Sequence, residues 1–283
     1  MIRIYIFIFS AVIFLMSGLT FSQQDTTLKP GWNPKGVLGL GISQVALSNW
    51  SKGGENLLSI TGISDFSNHL LSKPWILKNN LKVTLGSTKT GSNSFQTNDN
   101  DLRLENVLIY DAGWLFNPYV SNEIRTSILN GFDYTLDPAV QISAFFDPGY
   151  VTQSLGFTYG NPNFSTRLGF AFQETFTNKF RQFTDDLETP DKTEAFKFQT
   201  GVESVTESNF TVAHNLLYTG RLRLFSAFET FDVWDVGFDN TFTAVVNDFL
   251  NVNLNVLVVY EKAQSLKTQL KEGLQVGITY TVF

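Results

Sequence analysis

Asn251-Val252-Asn253-Leu254-Asn255-Val256-Leu257-Val258-Val259-Tyr260 is the stretch that decides the fold. Val252, Leu254, Val256, Val258 and Tyr260 point one way, and Asn251, Asn253 and Asn255 point the other. A period of two marks a strand with two unlike faces, because successive side chains leave an extended backbone on opposite sides. The last segment repeats the pattern, with Leu274, Val276, Ile278, Tyr280 and Val282 set against Gln275, Gly277, Thr279 and Thr281. Phe210, Val212, Leu216, Tyr218, Leu222 and Leu224 alternate in the same way with Thr211, Asn215, Thr219, Arg221 and Arg223. No segment carries a comparable helical stripe.

Working outward from these runs gives twelve strands, near 36–47, 55–67, 75–87, 101–113, 118–130, 150–160, 162–174, 194–206, 209–226, 232–246, 249–261 and 271–283. Most exceed the about 9–11 residues that a tilted strand needs to cross a bilayer. Short turns are expected at 68–74, 114–117, 161, 207–208 and 247–248, and long polar connections at 88–100, 131–149 and 175–193. An even strand number, with short turns at one rim and long loops at the other, is the plan of an outer-membrane barrel. Trp75, Trp114, Tyr159, Phe164 and Phe210 fall by the short-turn rim, and Trp234, Phe225, Tyr260 and Phe176 by the other. Such aromatic girdles mark the two membrane interfaces. A soluble β-sandwich is the competing architecture, but it leaves long strands and loop asymmetry unexplained together. The expected fold is therefore all-β: a transmembrane, antiparallel, up-and-down barrel over residues 36–283.

The N-terminus supplies the export signal. Arg3 precedes an apolar run from Ile4 to Met16, and Thr20-Phe21-Ser22 offers small residues for cleavage after Ser22. Residues 1–22 read as a signal peptide, and the polar, proline-containing residues 23–35 as a periplasmic leader. The apolar run falls short of the about 20 residues of a spanning helix. With no cysteine anywhere, disulfides, thiolate metal sites and lipoprotein attachment are excluded. Losing Arg3 with the signal peptide takes the formal net charge from −6 to −7, which argues against a nucleic-acid partner. The chain ending at Phe283 resembles the C-terminal strand read by the outer-membrane insertion machinery. Outer-membrane lipid and that machinery are the expected partners.

Gln44, Asn49, Trp50, Ser51, Gly53 and Gly54 form an Asn-Trp-Ser-x-Gly-Gly motif. It resembles the opening motif of an uncharacterised family of outer-membrane barrels of the Bacteroidota. Trp75 with Asn79, the stretch from Asp99 to Leu104, and Phe146-Asp147-Pro148-Gly149-Tyr150 echo the same family. The resemblance implies the fold and the location, and no activity. From the residues alone, 51–54 is a hairpin loop whose glycines supply positive φ, with neither the order nor the following helix of a P-loop.

Chemistry is sparse. His214 is expected on the lipid-facing side with Val212 and Leu216, and His69 in a periplasmic turn; neither has a nucleophile or carboxylate partner at useful spacing, so no catalytic residue is assigned. Asp185, Asp186, Glu188 and Asp191 crowd one outer loop beside Lys179, Arg181 and Lys192, but Pro190 and the spacing do not fit a calcium loop, so no metal site and no cofactor are expected. The inward face is richer. Alternation directs Lys78, Lys82, Arg103, Arg125, Arg167, Lys197, Arg221 and Arg223 into the bore, with Glu105, Glu123, Glu203, Asp235 and Asp239. They would line a pore for small polar solutes, mildly selective for anions, or pair across the bore and leave a closed, structural barrel that binds a partner through its outer loops. Twelve strands lie between filled small barrels and open porins, so size does not choose.

Overall fold

A computed structural model of the chain describes residues 29–49, 51–185, 192–262 and 264–282. The expected signal peptide, Trp50, Asp186, Glu188, Pro190, Asp191 and Phe283 lie outside the described residues. Twelve strands close into one antiparallel barrel. They are β1 (Gly31–Val45), β2 (Leu57–Ser72), β3 (Trp75–Thr90), β4 (Gln96–Tyr110), β5 (Asn117–Thr126), β8 (Gly149–Asn161), β9 (Phe164–Phe176), β10 (Phe196–Ala213), β11 (Leu216–Ala227), β12 (Asp235–Val245), β13 (Leu250–Tyr260) and β14 (Gln269–Thr281). Neighbours in sequence are neighbours in the ring, and β1 closes on β14 from Val37↔Thr281 to Ile42↔Val276. The remaining two strands, β6 (Gly131–Asp133) and β7 (Val140–Ser143), form a small hairpin inside the loop between β5 and β8.

Alternation dictates the two faces of the wall. Leu38, Leu40 and Ile42 on β1, Leu168, Phe170 and Phe172 on β9, and Leu274, Val276, Ile278 and Tyr280 on β14 are all exposed on the outside. Contiguous apolar surface on this scale cannot face water on a monomer; on a closed barrel it is the lipid-facing band. One polar outward residue, Asn240, is hidden there: Tyr218 lies over Gly220 and donates from its hydroxyl to Asn240 Oδ1 at 2.7 Å.

The connections sort by rim. Short turns at 73–74, 111–116, 162–163, 214–215 and 246–249 occupy one end, and 46–56, 127–148, 177–195, 228–234 and 261–268 the other. The expected long connection at 88–100 contracts to 91–95, because β3 and β4 pair to Thr88↔Gln96 past a bulge at Gly86/Ser87. Three expectations fail on register. β1 opens at Gly31, inside the segment read as leader; Pro34 is tolerated because it lies before Val37, where pairing with β14 begins. The turn expected at 207–208 is continuous β10, paired with β9 and β11 from Gly201 to Ser208, and the real turn is His214-Asn215. His214 is therefore a turn residue and not a lipid-facing one. His69 is the converse, a β2 residue whose Nε2 meets Asn80 Oδ1 at 3.0 Å.

Candidate functional site

All thirteen charged residues expected in the bore occupy the inward phase of their strands. They do not form one site. The bore divides lengthwise into a packed half, walled by β4, β5, β8, β9, β10 and β11, and a solvent-accessible half, walled by β12, β13, β14, β1, β2 and β3.

The packed half is built around Glu105, which is 2% exposed. Arg167 from β9 donates to Glu105 Oε1, and Arg221 from β11 donates to the same oxygen at 3.0 Å. Arg221 stands five strands from Glu105 around the ring, so this bond crosses the bore. Its guanidinium also donates to Glu123 and faces Glu207 at 3.5 Å. One step along β11, Arg223 donates to Glu203 at 2.8 Å and Gln173 at 2.9 Å, and lies 3.7 Å from Glu123. Arg125 extends the network toward the long-loop rim, 3.8 Å from Glu123 and 3.4 Å from Glu261, with its guanidinium over the Tyr150 ring at 4.9 Å. Carboxylates this deep are matched by arginines, whose planar fork can serve two acceptors at once.

Apolar layers sandwich the network. Toward the short turns, Val107, Ile109 and Tyr119 are buried inside the barrel with Ile76 packed on them. The Tyr119 hydroxyl meets Ser154 Oγ at 3.3 Å, which in turn meets Ser121 Oγ at 2.7 Å. Toward the long loops, Ala171, Phe225 and Ala227 form a second buried layer, with the Arg223 guanidinium 5.6 Å from the Phe225 ring. Phe225 was expected in the outer girdle; it shares the inward phase of Arg221 and Arg223 instead. The two longest loops then cap this half. Buried Asp147 accepts from the backbone N–H groups of Asn178 at 2.9 Å, Lys179 at 2.8 Å and Phe180 at 3.3 Å, pinning one loop to the other. A cavity of about 20 Å3 between Lys78, Asn80, Glu105, Arg167, Val205 and Glu207 has room for about one water.

The other half is lined by small and polar groups: Gly39, Ser43, Asp65, Ser67, Thr241, Thr243, Asn253, Asn255 and Gly273 are half-buried or exposed, while Ser59, Thr61 and Asn251 are buried, Thr61 accepting from Gln275 at 2.9 Å. A Cβ added at Gly237 or Gly273 would meet nothing within 4 Å, so space lies in front of both. Thr241 and Thr243 donate to Asn255 and Asn253, each at 2.9 Å, which keeps those side chains flat on the wall. Two lysine–aspartate pairs cross this half. Lys82 on β3 reaches Asp239 on β12 at 2.8 Å, five strands away through the β1–β14 seam, and nearer the long loops Lys271 on β14 contacts Asp99 on β4. Both pairs are partly exposed, at 27% and 30% for Lys82 and Asp239.

Of the remaining charged residues expected in the bore, Arg103, Lys78, Lys197 and Asp235 have no carboxylate or cation within ion-pair distance among the described residues. The sequence motif maps to the first long loop, where Asn49, Gly53 and Gly54 take positive φ of 53°, 80° and 115°. The Leu47 N–H donates to Asn56 Oδ1 at 2.6 Å across that loop, and the Gly91 N–H to the Asn56 carbonyl at 2.8 Å. Gln44 is exposed at the end of β1. Of the loop cations beside the acidic cluster, Arg181 donates to the backbone carbonyls of Asn178 and Thr193, and Lys192 faces Glu194. No group of three metal-ligating side chains occurs among the described residues. Glu207, Glu261 and Gln173 join the network without being among the charged residues expected in the bore: Glu207 falls in the turn expected at 207–208, and Glu261 and Gln173 lie at the ends of expected strands.

The family model described as a protein of unknown function (DUF3078) matches residues 42–132, from the end of β1 into β6 and about a third of the chain. No curated protein matches. Among solved structures, the chain is similar to an outer membrane channel from Pseudomonas putida F1, at 12% identity over 93% of this chain and 99% of that one, with a TM-score of 0.41. It is also similar to the translocator domain of the autotransporter NalP from Neisseria meningitidis, at 9% identity over 90% of each chain, with a TM-score of 0.36.

Proposed function

We propose that the protein is an outer-membrane barrel that passes small polar solutes along the solvent-accessible half of its bore, while the packed half serves as a fixed internal wall. The export leader and the lipid-facing band support the location. The lengthwise division of the bore carries the function: one half is filled by buried arginine–glutamate pairs and apolar layers, the other is lined by glycine, serine, threonine and asparagine. Such a wall offers hydrogen bonds without tight binding, which a passage needs if solutes are to leave as well as enter. The Lys82–Asp239 pair is the constriction. Being partly exposed, it is worth about 0–1 kcal/mol, little enough to open and close as solutes pass.

A second reading follows from a different observation, the cross-bore network around Glu105. If that network and the two lysine–aspartate pairs together seal the bore, the barrel is a closed structural element of the envelope. Single-channel recording of the refolded protein in a planar bilayer separates the two. Small discrete steps, enlarged by Lys82→Ala or Asp239→Ala, are expected for the passage. A folded, heat-modifiable barrel that stays silent in the wild type and in both variants would overturn it in favour of the closed element.

A further inference from the structure

The two mouths of the bore differ in how their charges are matched. At the long-loop mouth the inward acids Asp99, Asp101, Asp235 and Glu261 stand among the inward bases Arg103, Arg125, Lys197 and Lys271, with Lys271 on Asp99 and Arg125 on Glu261. At the short-turn mouth the inward positions of three adjacent strands carry basic residues. Register places His69 of β2 directly opposite Lys78 of β3, and Lys35 of β1 opposite Ser67, one inward position along from His69. Directly opposed side chains start about 4.5–5.5 Å apart at Cβ and diagonal ones about 7–8 Å apart, so one small oxyanion can touch all three. His69 sits within electrostatic reach of Lys78, Lys35 and Glu207. Lys78 lines the bore beside Asn80, and Lys35 is exposed.

The neighbouring acids do not neutralise these lysines by contact. Glu207 is turned to Arg221, and Asp65 lies one inward position deeper, opposite Lys82. Among the described residues neither Lys35 nor Lys78 makes an ion pair, whereas Lys82 and Lys271 on the same half both do. Asn80 meets His69 at Nε2, leaving Nδ1 and the two ammonium groups beside the side chains of Asn33, Asn80 and Glu207. Two point charges beside an imidazole, in a recess walled by protein, favour a carboxylate or phosphate over a neutral solute.

We propose that Lys35, His69 and Lys78 form an anion site at the short-turn mouth that takes the phosphate or carboxylate group of a small soluble molecule. The site gives the passage of the preceding section its substrate class and in that sense rests on it. Binding, however, can be measured in a barrel that conducts nothing.

The test is equilibrium dialysis of the full-length barrel, refolded in a non-ionic detergent, against radiolabelled inorganic phosphate. Saturable binding of one phosphate per chain is expected, weakened about tenfold by Lys78→Gln, abolished by Lys35→Gln with Lys78→Gln, and unchanged by Lys267→Gln in a distant loop. Heat-modifiable migration establishes that each variant is folded. No saturable binding by the folded wild type, or binding indifferent to the double substitution, would overturn the site. Acetate competing with phosphate supports a soluble ligand; preference for a short-chain phosphatidate would reassign the chemistry to a lipid headgroup and overturn the proposal. Phosphate binding with a silent bilayer record would sink the passage and leave the site standing.

Discussion

Glu105 and Asp239 face the same bore from inward positions of neighbouring barrel halves, yet the first side chain is 2% exposed and the second 30%. Glu105 is held by two arginines, one of them reaching five strands across; Asp239 is held by one lysine over the same angular distance. The contrast shows two ways to fill a twelve-strand bore. Arginine, with its five donors and rigid fork, cross-links several carboxylates into a dry network. Lysine delivers one mobile charge and leaves water around it. The packed half therefore behaves as a protein core turned inside a membrane barrel, and the other half as a wetted wall.

The largest effect should come from breaking the dry network. Arg221→Ala strands Glu105 and Glu123 with fewer partners in a buried setting, and losing one member of a buried ion pair costs about 3–5 kcal/mol. Urea unfolding of the refolded barrel, followed by tryptophan fluorescence, should shift by that amount. Adding Glu105→Gln to Arg221→Ala should recover part of the loss, because the uncompensated charge is then gone. A single-variant cost below about 1 kcal/mol would mean that water reaches this half and that the division of the bore is wrong.

Next in size is a steric test. Gly169 on β9 lies beside the Tyr119 hydroxyl, and a Cβ there would sit 2.3 Å from the Leu155 carbonyl oxygen and 2.8 Å from that hydroxyl. Backbone cannot yield as a flexible side chain can, so Gly169→Ala should cost about 1–3 kcal/mol in the same unfolding measurement. An unchanged midpoint would place Tyr119 outside the packed layer.

These predictions also mark how far the sequence is legible. Strand number, closure, rim asymmetry and the inward phase of the thirteen charged residues expected in the bore follow from period-two alternation, which a wall between lipid and bore enforces residue by residue. The division of the bore does not. Alternation carries the inward phase of Arg103 and Glu105 on to Val107 and Ile109, but it gives no sign that these two pack against Tyr119 instead of lining an open bore. Nor can it say which strands stand opposite one another, and that alone pairs Arg221 with Glu105. The turn expected at 207–208 fails for a related reason. Glu207-Ser208-Asn209 has turn composition, but Glu207 is an inward partner of Arg221 and Ser208 an outward residue, and the pairing overrides local preference. The signal that betrays it is the unbroken phase from Phe196 and Phe198 through Val202 to Phe210 and Val212.

On the wetted side the same operations should be mild for stability and visible only in the conductance of the proposed passage. Lys82→Ala removes one partly exposed pair, so the unfolding midpoint should move by no more than about 1 kcal/mol. Its reporter is the unitary conductance, expected to rise as the long arm leaves the constriction. A loss of stability comparable with that of Arg221→Ala would mean that Lys82 belongs to the dry network and that the bore is sealed through both halves.

The smallest effect is the sharpest control on the comparison. Gly273 on β14 has the same inward phase and the same residue type as Gly169, but a Cβ there meets nothing within 4 Å. Gly273→Ala should leave stability within about 0.5 kcal/mol, or improve it slightly, because alanine loses less backbone freedom than glycine on folding. Enlarging the side chain should then narrow the proposed passage without touching the fold: Gly273→Phe should lower the unitary conductance while the unfolding midpoint stays in place. If Gly273→Phe instead destabilises the barrel as a packed position would, the space before β14 is not open, and the two halves differ in composition but not in what fills them.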